Sequence, residues 1–364
     1  MNKSLKKIII ATGGTGGHIF PAFSLATHFL EKKIDVKIIS DKRGLRYLNN
    51  TEKVEIIEIN SSTIFRKNIF QSLLSVLKIL ISITKSFIFL LKNRPNLIFG
   101  MGGYSSFPIC VAAKILRIPF VIYENNLCIG KANKYLLPFA EKIFVSYKEL
   151  EGISEKYNKK VFQSGNIIRK EILNFRSNSN IEETDKILRI LILGGSQAAK
   201  IFAEKLPEIF KECIEAKIPL KIYQQCMPEQ NKYLESFYKN LEINFEIFNF
   251  SKNILDYFSK TNLVITRSGS SMLAELINAK IPFITIPLPS SAENHQLKNA
   301  IYNEKNGYSF LVEEKNLSIK LFKLIKRIND NMSLLDQIIN NQRQYSDKSV
   351  YENIDKEINK IINK

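Results

Sequence analysis

The sequence predicts an α/β protein of two doubly wound domains, each built on a parallel sheet, and three observations predict it. At 364 residues the chain exceeds the roughly 250–300 residues at which one hydrophobic core stops growing, so two compact domains are expected. Short apolar runs rich in Ile, Val and Phe alternate with longer runs of helical period, as repeated βαβ units require. The alternation fades near residue 162, crosses a polar stretch at 174–185 and restarts at 187, and each half opens with a strand running into a glycine-rich turn.

In the first half the expected strands are 7–11, 36–40, 54–59, 97–100 and 120–123, with helical segments such as 19–31 and 105–116 between them. In the second half they are 187–193, 218–223, 263–266 and 283–286. Residues 351–364 are helical in period and charged. The most hydrophobic long stretch is 64–91, but Arg66, Lys67, Lys78 and Lys85 interrupt it. No uncharged run of about 18 residues remains to span a bilayer. Leu73, Leu74, Leu77, Leu80 and Ile81 form one helical face and 87–91 continue almost without polar relief, so the segment is expected as a buried crossover helix. Its surplus apolar surface would also suit a membrane surface, with Lys78 and Lys85 reaching lipid headgroups.

Hydrophobic residues at 45% and charged residues at 24% describe a folded globular chain and exclude a disordered or fibrous one. The 53 Lys+Arg against 35 Asp+Glu give +18, which fits nucleic acid, an anionic membrane or phosphate-rich substrates, and equally a chain merely rich in Lys, Ile and Asn. With no RNP-type aromatic motif and no C-x-x-C finger, nucleic acid is not expected as a partner. Cys110, Cys128, Cys213 and Cys226 have neither a redox nor a zinc spacing and read as small core residues of a reducing compartment. Residues 1–7 run straight into the first strand without a signal-peptide pattern, which points to the cytoplasm.

The turn Gly13-Gly14-Thr15-Gly16-Gly17 invites a dinucleotide reading, with Asp41 closing the second strand where a ribose-binding acid would sit. The spacing fails, because a G-x-G-x-x-G started at Gly14 needs glycine or alanine where Ile19 stands, and no P-loop pattern occurs. The turn offers instead backbone N–H groups at a helix start, open to a polar ligand. His18 follows on the first helical turn and is the candidate catalytic residue, against a plain capping or core histidine. Gly194-Gly195-Ser196-Gln197 and Arg267-Ser268-Gly269-Ser270-Ser271 are two further anion-ready turns after strands. Three such turns suit a ligand carrying two phosphates. Glu275, one helical turn beyond Ser271, is placed to accept ribose hydroxyls, against a solvated helix carboxylate.

The stretches Gly13 to His18 with Phe20-Pro21, Gly100-Met101-Gly102-Gly103-Tyr104, Glu124-Asn125-Asn126, Gly165-Asn166 with Arg169, Gly194 to Gln197, Arg267-Ser268-Gly269 with Glu275, and His295-Gln296 with Asn299-Ala300 stand in the order and spacing of one family. In these the chain resembles the MurG family, the membrane-associated N-acetylglucosaminyltransferases of peptidoglycan synthesis. It departs from the family pattern at Ala198-Ala199, where a third glycine is frequent, and at Tyr123-Glu124-Asn125, where His or Gln is frequent.

The resemblance implies a GT-B architecture, two Rossmann-like domains facing across a cleft. Residues 1–163 would be the acceptor and membrane-associating domain, 164–349 the UDP-sugar domain, and 350–364 a helix returning to the first. It implies inverting transfer of N-acetylglucosamine from UDP-N-acetylglucosamine to the 4-hydroxyl of the muramoyl sugar of lipid I, forming lipid II. His18 would be the base, and Ser196 with Arg169 would meet the diphosphate. Glu275 would hold the ribose, on a nucleotide turn of Ser270, Ser271, Met272, Leu273 and Ala274. Asn126 and Gln296 would take the donor sugar's hydroxyls, and Thr15, Gly16, Gly17 and Ser251 complete the substrate-binding set. No D-x-D sequence occurs, so no protein-bound metal and no cofactor are expected, with at most Mg²⁺ held loosely on the substrate phosphates. The implied partners are UDP-N-acetylglucosamine, lipid I, an anionic membrane surface and other cell-wall synthesis proteins, at the cytoplasmic face of the inner membrane. Three alternatives remain at this point: a related transferase with another lipid or natural-product acceptor, a sugar-nucleotide epimerase, and a non-catalytic UDP-sugar-binding protein.

Overall fold

A computed structural model describes residues 6–14, 16–48, 54–59, 69–175, 186–195, 200–249, 251 and 253–363. The chain divides into two compact units, Met1–Arg169 with Asp347–Lys364, and Lys170–Ser346. The first unit runs β1 (Lys7–Ala11), α1 (Gly16–Glu31), β2 (Asp35–Ser40), α2 (Lys42–Leu48), β3 (Glu55–Glu58), α3 (Ile69–Lys92), β4 (Leu97–Gly100), α4 (Gly103–Ile115), β5 (Phe120–Glu124), α5 (Lys131–Leu136), β6 (Ile143–Val145) and β7 (Val161–Gln163). Its seven strands lie in the order β3-β2-β1-β4-β5-β6-β7, all parallel. Ile8, Ile9 and Ile10 are wholly buried, as expected of a parallel strand covered by helices on both faces.

The second unit runs α6 (Lys170–Asn174), β8 (Leu188–Leu193), α7 (Lys200–Glu215), β9 (Leu220–Gln225), α8 (Asn231–Asn240), β10 (Asn244–Phe248), α9 (Leu255–Phe258), β11 (Leu263–Thr266), α10 (Ser270–Ala279), β12 (Phe283–Thr285), α11 (His295–Lys305), β13 (Phe310–Leu311), α12 (Leu317–Asp330) and α13 (Ser333–Arg343). Its parallel sheet has the order β10-β9-β8-β11-β12-β13. In each sheet the chain reverses its direction of travel beside the first strand, between β1 and β4 and between β8 and β11. Ala11 pairs with Gly100, and Thr266 with Leu193. At such switch points the loops leaving two adjacent strands diverge and open a crevice for ligands.

Helix α3 corrects the expectation of a buried crossover. It does make the crossover from β3 to β4 and it packs on α4, but the face turned inward is Ser75, Ile79, Ser82, Ser86 and Leu90. Leu74, Leu77, Leu80, Ile81, Ile88 and Leu91 are each about half exposed, from 48% to 58%. Small inward residues let a neighbouring helix approach closely, and Ser82 Oγ satisfies itself on Lys78 O at 2.8 Å. By length and composition Leu74–Lys92 suffices to cross a membrane. The packing recorded for it is on α4 of the same unit.

The division between the units falls after Arg169 and after Ser346, not at 163 and 349. Residues 164–169 are held in the first unit by hydrogen bonds: Ser164 N to Val145 O at 3.0 Å, Ile167 N to Tyr123 Oη at 2.9 Å, and Tyr351 Oη to Ile168 O at 2.7 Å. Asp347 belongs there too, accepting from the Asn166 amide at 2.8 Å. The last helix, α14 (Val350–Ile362), packs on α1. His28 Nε2 lies 3.0 Å from Asp355 and its ring 4.5 Å from that of Tyr351, while Lys32 pairs with the same carboxylate. Glu357 accepts from Lys142 at 2.7 Å. His28, the second histidine of α1, therefore serves the docking of α14.

Candidate functional site

The first crevice is built where β1 and β4 separate. From β1 the chain enters α1 through Gly13 and Gly14, the latter at a φ of 84°. A side chain at Gly13 would collide with Ser105 and stand 3.0 Å from Asp41 Oδ1, so only glycine lets this turn rest on α4 and the end of β2. Gly16 is buried and Gly17 half-buried, and Thr15 lies outside the described residues. Asp41 braces the turn: its Oδ1 accepts from the amides of Gly14 at 3.0 Å and Gly44 at 2.9 Å, and its Oδ2 from Arg43 at 2.8 and 3.0 Å. Burial pushes the Asp41 carboxyl up, and these bonds with one from Ser105 outweigh it, holding it below its ordinary value. The acid at the end of β2 is a strut for the turn.

His18, third residue of α1, is half-buried. Its ring lies along the turn leaving β4: a Cβ on Gly102 would stand 3.2 Å from His18 Cε1 and 3.4 Å from Nδ1, and one on Gly103 3.5 Å from Cδ2. Both glycines have positive φ, 83° and 72°, so the space beside the imidazole is kept by two residues without side chains. The backbone of His18 is held by Thr12 Oγ1, which donates to its carbonyl at 3.0 Å, and that of Gly17 by Asn125 Nδ2, also at 3.0 Å.

Beside this lies a cluster centred on Glu124, in which only Asn126 had been assigned a role. Glu124, at the end of β5, is 3% exposed. Its Oε1 accepts from the Asn126 amide at 3.2 Å and Asn126 Nδ2 at 3.0 Å, and its Oε2 from the Gly130 amide at 2.8 Å and Asn133 Nδ2 at 2.9 Å. Asn126 Nδ2 also donates to Asn125 Oδ1 at 2.9 Å, so both of its N–H groups are engaged within the loop. The run Glu124-Asn125-Asn126 carried part of the family resemblance, but nothing in the sequence marked Asn133. Arg169 is half-buried and is the last residue of this part of the unit.

The second crevice lies between the ends of β8 and β11. After β8, Gly195 has a φ of 71° and a Cβ there would meet nothing within 4 Å; Ser196 and residues 197–199 lie outside the described residues. After β11 the chain passes Arg267, Ser268 and Gly269 into α10, and a Cβ on Gly269 would also meet open space. The ten-residue helix carries Ser270, Ser271, Met272, Leu273, Ala274 and Glu275, with no acidic residue in its first turn. The dipole of such a helix favours an anion at its N-terminal end. Glu275 is only 6% exposed, which removes the reading of a solvated helix carboxylate. Ser251 is half-buried in the link between β10 and α9.

Neutral amides hold this second turn. Gln296 Oε1 accepts from the amides of Ser268 at 3.2 Å and Leu288 at 3.0 Å, and Asn299 Nδ2 donates to Ser268 O at 3.3 Å. Gln296, expected on sugar hydroxyls, thus has its carbonyl engaged by backbone, leaving contact with a ligand to its NH₂ group. Arg267 is turned to the fold: it donates to Ile286 O at 3.1 Å and Pro287 O at 3.3 Å, pairs with Glu314 at 2.5 Å and covers the Phe202 ring at 5.1 Å. Among the described residues no three His, Cys, Asp or Glu side chains gather as a metal site. All four cysteines are free thiols, Cys128 half-buried and the others buried.

Comparison with known proteins gives these two crevices a context. Residues 8–145 match the Glycosyltransferase family 28 N-terminal domain and residues 189–357 the Glycosyltransferase family 28 C-terminal domain. A protein of Pelagibacter ubique, named UDP-N-acetylglucosamine--N-acetylmuramyl-(pentapeptide) pyrophosphoryl-undecaprenol N-acetylglucosamine transferase, is 34% identical over 361 residues, 98% of this chain and 99% of its own. A protein of the same name from Rickettsia canadensis is 35% identical over 93% of this chain and 94% of its own. The crystal structure of Acinetobacter baumannii MurG superposes with a TM-score of 0.78 over 98% of this chain and 99% of that one, at 23% identity, which establishes the GT-B fold of paired α/β domains. With both family domains matched in order and relatives above 30% identity along nearly its whole length, this chain belongs to the MurG family of glycosyltransferases.

Proposed function

We propose that this protein transfers N-acetylglucosamine from UDP-N-acetylglucosamine to the 4-hydroxyl of the muramoyl sugar of lipid I, with inversion, giving lipid II. The observation that carries the reading is the near full-length likeness to two relatives named as that transferase. Inverting transfer needs a base to take the hydroxyl proton as its oxygen attacks opposite the departing UDP. His18 fills that role, with the glycine-lined space beside its ring supporting the assignment. The start of α10, the Gly194-Gly195 turn, Ser196 and Arg169 meet the charge of the leaving diphosphate, and Glu275 accepts from the ribose hydroxyls. Asn126 and Gln296 take the donor sugar's hydroxyls. No cofactor enters this scheme, and Mg²⁺ rides at most on the substrate phosphates.

The test is incubation with radiolabelled UDP-N-acetylglucosamine and a short-chain lipid I analogue, with labelled disaccharide-lipid the expected product. Donor binding without product would make the chain a binding protein. Transfer only to another lipid or small molecule would change the acceptor, and epimerised sugar formed without any acceptor would replace the reaction altogether.

The proposed location is the cytoplasmic face of the inner membrane, held peripherally. The exposed leucines and isoleucines of α3, with Lys78 and Lys85 exposed on the same helix, support it. Each basic residue near an anionic surface contributes about 1 kcal/mol, and the attraction is screened by salt. Co-sedimentation with anionic vesicles is expected at low salt and weakened at high salt. Its absence at low salt, or indifference to salt, would remove the electrostatic part of this placement.

A further inference from the structure

We propose that Asn125 is a positioning residue for the reaction: its side-chain amide gives the Gly17 carbonyl the donor that Pro21 withholds, and so fixes the first turn of α1, from which His18 acts. The proposal rests on His18 acting as the base.

Three observations carry it. Pro21 stands inside α1, and a helix draws the bond to the Gly17 carbonyl from the N–H four residues on, which is the place of Pro21. Proline has no N–H and its ring crowds that same carbonyl, so α1 cannot complete its own ladder there. Asn125 Nδ2 supplies a donor instead, at 3.0 Å, from a loop 108 residues away in the chain. The Gly17 carbonyl belongs to the peptide group that enters His18. The peptide group that leaves His18 is held in turn by Thr12 Oγ1, which donates to its carbonyl at 3.0 Å. Side chains from outside the helix thus grip the backbone on both sides of the proposed base.

The third observation is that the Asn125 amide is itself aimed. Asn125 is 4% exposed, and its Oδ1 accepts from Asn126 Nδ2 at 2.9 Å, which leaves Nδ2 as the end turned to Gly17. The same Asn126 NH₂ donates to Glu124 Oε1 at 3.0 Å. Glu124 also takes the Asn126 and Gly130 amides and Asn133 Nδ2, so one buried carboxylate fixes the loop between β5 and α5. Four donors fill the four acceptor positions that a carboxylate offers, and Glu124 therefore acts on the reaction through this loop. The contacts run from Glu124 through Asn126 and Asn125 to the peptide group of His18. A shift of about 1 Å at a reacting group can cost about 10²-fold in rate, so holding that peptide group has a kinetic consequence.

The test exploits the missing N–H. Asn125→Ala removes the donor to Gly17 and is expected to lower kcat about 10- to 100-fold, while UDP affinity, read by calorimetry, holds. Pro21→Ala returns to α1 an N–H for the Gly17 carbonyl, so in the Pro21→Ala background Asn125→Ala should cost only about a few-fold. An asparagine that merely supports the fold would gain nothing from a backbone N–H on another element. Undiminished kcat in folded Asn125→Ala, or a loss of equal size in both backgrounds, overturns the proposal. If melting shows Asn125→Ala unfolded, Asn125→Asp decides in the same two backgrounds, since it keeps the acceptor for Asn126 and loses only the donor to Gly17. Because Asn125 acts through His18, Asn125→Ala should cost nothing further in a His18→Ala protein. A full additional loss there overturns the role of Asn125 and leaves the base in place, whereas undiminished turnover in His18→Ala alone removes the base and the proposal with it.

Discussion

In the first unit the turn after β1 is braced by a carboxylate: Asp41 takes the Gly14 amide, and Glu124 gathers the neighbouring loop beside His18. In the second unit the turn after β11 is braced by the neutral amides of Gln296 and Asn299, and its arginine is tied to Glu314. The sheets have the same switch-point topology, yet the braces leave different chemistry behind. A carboxylate brace uses up backbone N–H groups, here in the unit that carries His18. Amide braces leave the helix start to attract an anion. The first turn is therefore less of an anion floor than its glycines alone imply, and the second more.

The largest effect expected from this contrast is at His18. A general base contributes about 10²- to 10⁴-fold, so His18→Ala should lower turnover by that range and leave UDP affinity nearly unchanged. Turnover within a few-fold of the parent, in a folded protein that binds UDP, would make His18 structural. In the second unit Glu275→Ala should weaken UDP binding by about 1–3 kcal/mol, the cost of an unmade bond to a charged group. Calorimetric titration would read it, and unchanged affinity would move the ribose elsewhere.

The smallest effect is on stability in acid. Burial raises the Asp41 and Asp355 carboxyls, but their hydrogen bonds and charged partners hold both below the ordinary value of 3.8. Each therefore contributes stability that is fully present above that value and is lost as pH falls through the lower folded one. Asp41→Asn should cost about 1–2 kcal/mol at neutral pH and should soften the loss below about pH 4. Urea unfolding across pH would show it, and parallel curves for parent and variant would mean that Asp41 does not brace the turn.

The central strands were legible because they are short, β-branched and bounded by turns. β6, β10 and β13 were not: β6 is three residues long, β10 mixes Asn and Glu with Phe and Ile, and β13 has two residues. β7 was seen only as the point where the pattern faded. The outward face of α3 was misread because helical period locates a stripe without saying which side meets the core. The serines at 75, 82 and 86, recurring on one side, were the available signal. His18 and the glycine turns were legible from chemistry next to chemistry in the chain. The bracing by Asp41 and the Glu124–Asn133 pair was not, since it joins elements that only the sheet brings together.

The return of α14 to the first unit has a consequence for how the chain is made. The whole of Lys170–Ser346 is synthesised between the two pieces of the first unit. A growing chain therefore presents a second unit able to close on itself while the first still lacks the partner of His28, Lys32 and Lys142. The helix bearing the proposed base is thus the one whose surroundings are completed last, and the second unit is in effect an insertion that no single cut could release intact from its neighbour.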